Sequence, residues 1–272
     1  MEEVLSKFIP DFHLENMERD KEINKSLIMT LIEEKINISS NPFLCSIIEY
    51  FLKNNDKNDK KIILIGERES LNYYWSIVKK MGINLLKIKK DFVFVDINGA
   101  YSKLLKTQLP LEENVPDSFN QVRKEKDEFI ECDHKLLGKN DINEFYKDTF
   151  EKIKENINNS KENDKGKKYM VMFDTVNDES LNALDDFLKY CFSNEINLLF
   201  SINKELNSQK LVNYIEYLSD ILIGLKNNES GFSKDMNGIL NITIKKELNE
   251  ELKSFRYSLK YKSIEIFNHI DI

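Results

Sequence analysis

Alternating buried-looking strands and amphipathic helices, followed by strand-like segments with no helix between them, predict an α/β fold. The expected architecture is a mostly parallel central sheet flanked by helices, with antiparallel strands at its C-terminal edge. Three observations carry this prediction. Continuous apolar runs such as Ile62-Ile63-Leu64-Ile65-Gly66 have the character of strands buried on both faces. Segments between such runs repeat apolar residues at helical spacing. Residues 238–244, 255–261 and 264–267 follow one another without helices, so they should pair antiparallel. With 41% hydrophobic and 11% aromatic residues in a chain of 272, there is material for a sizeable core. The expected organisation is a lead-in over residues 1–25, then a single α/β domain over 26–272 with a polar insertion around 104–168.

The elements follow in order. Residues 26–32 read as the first strand and 41–53 as a helix: Asn41 can cap it, Pro42 suits the first helical position, and Leu44, Ile47, Ile48, Phe51 and Leu52 fall on one side. The run 62–66 is the second strand. Ser70 can cap the next helix, whose inner face is Leu71, Tyr74, Trp75, Val78 and Met81, with Gly82 as its stop. Residues 92–97 form a third strand. From about 101 to 168 the signal weakens, with Pro110 and Pro116 marking loop and a helix over 141–158 carried by Tyr146, Phe150, Ile153 and Ile157. The polar tract 159–168 reads as a surface linker. Strand 169–174, helix 178–191, strand 197–202, helix 208–217 and strand 221–225 then lead into the closing strands.

The junction after the first strand, Asn37-Ile38-Ser39-Ser40-Asn41-Pro42-Phe43, lies where a P-loop enzyme carries G-x-x-x-x-G-K-[ST]. The glycines of that motif let backbone amides face phosphate, and its lysine neutralises charge. Neither residue type is present at this junction. Glycine is scarce throughout, 8 in 272 residues, which counts against folds that need several glycine-rich loops. A nucleotide-type scaffold without its phosphate loop points to association rather than hydrolysis. Asp174 ends a buried-looking strand as a Walker B acid does, a vestigial Walker-B-like position. A turn or helix-capping role explains an aspartate there equally well. Gly138-Lys139 and Gly166-Lys167 lack the upstream glycine and the preceding strand.

A net charge of −7, from 40 basic and 47 acidic residues, argues against a free-standing nucleic-acid binder. Lys87, Lys89 and Lys90 form a local basic cluster that could meet an RNA backbone, or simply a solvated surface run. Cys45, Cys132 and Cys191 are odd in number and far apart, as expected of reduced core thiols in an intracellular protein. His13, His134 and His269 are scattered, and Cys132-Asp133-His134 is one potential metal pair without a second. No catalytic residue, cofactor site or metal site is expected. No apolar run approaches the roughly 20 residues of a membrane span, and Met1-Glu2-Glu3 does not begin a signal peptide. The function classes that stay open are a non-catalytic assembly subunit, a degenerate but active NTPase or transferase, and a lone nucleic-acid-binding module.

The junction, the third-strand region and the C-terminal segment together resemble subunit 6 of the Elongator complex. The similarity spans roughly residues 26–269, with 104–168 poorly matched. Its most specific part is Ser230-Gly231-Phe232-Ser233-Lys234-Asp235-Met236-Asn237-Gly238-Ile239-Leu240-Asn241-Ile242. That segment is similar to the family's Gly-Phe turn, the acid before an Asn-Gly turn and the strand after it. The aromatic-rich pair over 255–267, the Tyr73-Tyr74-Trp75 helix ending at Met81-Gly82-Ile83, and strand 92–97 follow the family order. The resemblance implies a RecA-like fold without working Walker motifs. It implies a hetero-hexameric ring with Elongator subunits 4 and 5, contact with the remaining Elongator subunits, and tRNA bound through the assembled ring. It further implies a role in wobble-uridine modification in the cytoplasm, and also the nucleus, with no membrane partner.

Overall fold

Six consecutive buried residues make β1 (Ile28–Glu33), the strand around which the architecture is arranged. The computed structural model describes residues 27–53, 60–84, 91–108, 129–133, 135, 142–163, 167–227, 236–245, 250–260 and 264–268. After β1 come α1 (Asn41–Lys53), β2 (Lys60–Gly66), α2 (Leu71–Lys80), β3 (Phe92–Asp96), α3 (Ile97–Gln108), β4 (Phe129–Glu131) and α4 (Ile142–Asn163). The second half runs β5 (Lys168–Phe173), a 3-10 turn (Asp178–Ser180), α5 (Leu181–Ser193), β6 (Asn197–Asn203), α6 (Gln209–Leu218) and β7 (Ile221–Asn227). The last three strands are β8 (Gly238–Lys245), β9 (Glu250–Leu259) and β10 (Ile264–Asn268).

Among the described residues the strands form one sheet of ten, in the order β10-β9-β8-β7-β1-β6-β5-β2-β3-β4. Every neighbouring pair from β7 to β4 is parallel, and β8, β9 and β10 add on antiparallel. The mostly parallel sheet with an antiparallel C-terminal edge is therefore observed. The central strands are buried at nearly every position because side chains on both faces are covered. β7 and β8 instead alternate buried with half-exposed residues, the pattern of a sheet with one packed face.

Two hydrophobic layers clothe the sheet. On one side Phe43, Leu44, Ile47, Ile48 and Phe51 of α1 and Tyr74 and Val78 of α2 meet Ile62, Leu64, Leu240, Ile242, Phe255 and Tyr257. Phe43 and Tyr257 pack edge to face with centroids 5.2 Å apart, so α1 reaches over the C-terminal strands. On the other side α3, α4, α5 and α6 pack on Ile63, Val93, Val171, Leu198 and Ile202. The chain moves one way along the sheet through α1 and α2 and returns on the opposite face through α5 and α6. Both sets of crossovers consequently have the same hand.

Several expectations need correction. The first strand runs to Glu33 instead of stopping at Ile32, which makes that carboxylate a strand-end residue. α3 was expected nowhere; Asp96 ends β3 and accepts from the Gly99 amide at 2.8 Å, starting a helix directly. The supposed linker 159–168 continues α4 through Asn163, because Ser160 accepts from Lys61 at 2.7 Å and Lys161 donates to Asn194 at 3.0 and 3.2 Å. Ser70 does stand at the N-cap of α2, though its side chain makes no capping bond. The cysteines are buried free thiols as expected. Of the most specific segment of the family resemblance, 230–235 lie outside the described residues. Gly238 lies inside them, and a Cβ there would come within 2.2 Å of the Lys226 carbonyl oxygen.

Candidate functional site

Neighbouring parallel strands that send their chains to opposite faces leave a crevice at their carboxyl ends, the usual ligand position in open α/β sheets. Here β1 and β2 exit toward α1 and α2, while β6 and β5 between them exit toward α6 and α5. The crevice therefore spans the ends of β1, β6, β5 and β2. Glu33, Asn203, Asp174, Glu67 and Arg68 stand at those ends.

The loop after β1 has no glycine to turn its amides outward, and four amides at the entrance of α1 are engaged by the chain itself. The Ser40 amide donates to Glu33 Oε1 at 2.7 Å, and the Asn41 amide to Ser39 Oγ at 3.2 Å. Phe43 and Leu44 amides both reach the Ser40 carbonyl, at 2.9 and 3.0 Å. The Glu33 side chain is 2% exposed and accepts further from Arg68 Nη1 at 2.6 Å, Arg68 Nη2 at 3.2 Å and Asn203 Nδ2 at 3.1 Å. An anion does sit at the N-terminus of α1, where the helix field and free amides favour one. It is the protein's own carboxylate, clamped two-pronged by an arginine.

Asp174, the acid singled out by its strand-end position, is fully buried at the centre of a second knot. Its carboxylate accepts from the amides of Glu67 at 2.9 Å, Arg68 at 3.0 Å and Glu69 at 2.9 Å, and from the Tyr74 hydroxyl at 3.1 Å. Burial raises its pKa above the carboxylate norm, and the three amides pull the other way. Successive amides aimed at one anion form a backbone nest. Gly66 permits it, since a Cβ there would lie 2.2 Å from Phe94 Cζ and 2.8 Å from the Glu69 carbonyl oxygen. A metal ion at Asp174 would have to displace these donors, so the geometry fits loop anchoring better than cation binding.

Glu67, half-buried between the same loops, forms the third feature. Its Oε1 accepts from the Tyr146 hydroxyl of α4 at 2.7 Å and from Asn177 Nδ2 in the loop after β5. Asn177 also donates to the Tyr146 oxygen at 3.0 Å and caps the 3-10 turn through the Ser180 amide. Burial pushes the Glu67 carboxyl up to about 7, aided by Asp174 and Glu179 nearby and opposed by the two donors. Burial also raises Tyr101, which approaches the Tyr146 hydroxyl at 3.5 Å, to about 12.

The structure thus brings Asp174 into the crevice, whereas Lys87, Lys89 and Lys90 lie outside the described residues, as do His13, His134 and His269. Among the described residues no group of three or more histidine, cysteine, aspartate or glutamate side chains could hold a metal ion. Glu33, Arg68, Glu67 and Asn177 were missed by reading the sequence. A hint existed for Arg68, because arginine is rare in a chain whose cations are nearly all lysine.

No family model matches the chain, and no curated protein matches it. Solved structures do. An uncharacterized protein of Pyrococcus horikoshii, PH0321, determined in complex with an unknown peptide, aligns over 93% of this chain and 96% of its own at TM-score 0.51 and 13% identity. A KaiC-like protein of the same archaeon, PH0186, aligns over 89% of this chain and 90% of its own at TM-score 0.51 and 9% identity. At such identities the likeness concerns the fold alone: this chain has a RecA/KaiC-like α/β fold.

Proposed function

We propose that this protein is a non-catalytic, RecA-like subunit that works by association. In this reading it is a silent member of a hetero-hexameric ring of the Elongator type, joined to the RecA-like subunits 4 and 5 and, through them, to the remaining subunits. The ring, rather than this chain alone, would hold tRNA during wobble-uridine modification in the cytoplasm or nucleus. One observation carries the proposal: at the entrance of α1, where a P-loop enzyme would carry its phosphate loop, the chain holds its own Glu33 carboxylate through Ser40, Arg68 and Asn203. A crevice already filled by an ion pair supports a partner-binding role over nucleotide turnover. The family resemblance supplies the identity of the partners. No described helix is long and apolar enough to cross a membrane, which is compatible with that setting.

The test is recovery of the tagged full chain from its own cell, followed by size measurement and mass spectrometry. Two similarly sized RecA-like partners should accompany it in comparable amount. Recovery as a lone species, with Mg-ATP hydrolysis by the purified chain, overturns the proposal.

A second reading, a degenerate but active NTPase, draws on one specific group. Glu67 titrates near neutrality at the crevice, as a general base should. That reading requires hydrolysis that Glu67→Gln abolishes without loss of folding.

A further inference from the structure

Three separate stretches of chain send donors to one buried carboxylate. The Ser40 amide comes from the entrance of α1, the Arg68 guanidinium from the loop after β2, and the Asn203 amide from the end of β6. A helix-entrance amide, a planar fork of cationic N–H groups and a neutral amide are together the equipment of an oxyanion site. Arg68 remains 24% exposed, so the clamp is open to solvent on one side.

We propose that Glu33 is a built-in anion filling an oxyanion site of this fold, and that removing its charge opens the site to a free phosphate ion. The inference deepens the reading of the crevice as catalytically silent and rests on it. Shortening Glu33 to alanine leaves a hole of carboxylate size facing the Ser40 amide and an arginine without its ion-pair partner. Arg68 would then be a partly buried cation that has lost its nearest carboxylate and keeps only the influence of Asp174, which gives a replacement anion an incentive to enter. Inorganic phosphate restores at least the one negative charge removed, and its oxygens can accept from the same amide and guanidinium donors. A nucleotide polyphosphate does not match, because the remaining amides of the entrance are engaged on Ser39 and Ser40.

The test titrates inorganic phosphate into the full chain at constant ionic strength, comparing wild type, Glu33→Ala and Glu33→Ala/Arg68→Ala. Calorimetry and the melting temperature are the readouts. Glu33→Ala should bind phosphate saturably, at least about tenfold more tightly than wild type, with a melting temperature that climbs with phosphate concentration. The double variant should lose that gain. Equal affinity in wild type, retained affinity in the double variant, or a folded Glu33→Ala protein without saturable binding overturns the proposal. Where Glu33→Ala does not fold in chloride, phosphate or acetate should restore folding by supplying the missing anion, and failure of that rescue overturns it as well. The outcome is separable from partner recovery: partners without phosphate binding remove the built-in anion alone, and phosphate binding without partners removes the ring alone.

Discussion

Among the described residues, the Tyr146 hydroxyl and the Asn177 amide both donate to Glu67 Oε1, so that Oε2 can carry the proton when the group is neutral. Asp174 and Glu179 nearby add like charge, so burial and repulsion together lift the pKa from 4.5 to about 7. The consequence for stability has a definite sign. Between pH 4.5 and about 7 the folded protein holds a proton at Glu67 that the unfolded chain has released, so stability falls as pH rises through that window. Below the window the group is neutral in both states, and above it the whole penalty is present. Glu67→Gln imitates the neutral form and should remove this dependence. Because the side chain is half-buried, solvent screening reduces the gain, and about 1–3 kcal/mol is expected at pH 8 with almost none at pH 4. Urea unfolding of both proteins across that range reads the difference. A parallel shift at every pH would show that Glu67 is not the group responsible.

Elements whose identity depends on local pattern were legible, and elements whose identity depends on distant partners were not. The strands β2, β3 and β5 announce themselves as unbroken apolar runs, since only burial on both faces suits such a composition. The end of α4, residues 158–163, is asparagine, serine, lysine and glutamate, indistinguishable by composition from a linker. They stay helical because Lys61 and Asn194, from other parts of the chain, engage Ser160 and Lys161. The site was hidden for the same reason. Asp174 could be picked out from its place at a strand end, but Glu33 meets Arg68 35 residues away, and Asp174 meets the amides of 67–69 more than 100 residues away. α6 shows the legible kind of boundary. Ser208 accepts from the Leu211 amide at 3.3 Å as an N-cap, and its hydroxyl donates to Asp178, tying the helix to the 3-10 turn. Ser208→Ala removes both bonds and should cost about 1–2 kcal/mol of unfolding free energy, measured by urea titration. A loss below about 0.3 kcal/mol would mean that the Ser208 amide bond to Asp178 suffices on its own.

At the scale of the whole molecule, the question is whether the two helical layers unfold together. The sheet argues that they do. Alternate residues of each central strand feed opposite layers: in β2, Ile62 and Leu64 join the α1–α2 side while Ile63 and Ile65 join the other. Neither layer can open without exposing strands that the other layer also needs, so one cooperative transition is expected. The three cysteines report on this directly, since Cys45 belongs to the α1–α2 layer and Cys132 and Cys191 to the opposite one. Each is a buried free thiol whose pKa is pushed up to about 12 chiefly by burial, which removes the thiolate needed for reaction. In the native protein a thiol reagent at neutral pH should label all three slowly. Across a urea titration, with each site quantified by mass spectrometry, the three labelling curves should share one midpoint. Earlier exposure of Cys45 alone would show that α1 and α2 detach from an otherwise intact sheet, and earlier exposure of Cys132 and Cys191 would place the weak boundary on the α3–α6 side. Either split would divide the chain into separately folding units and end the description of the ten strands as one cooperative domain.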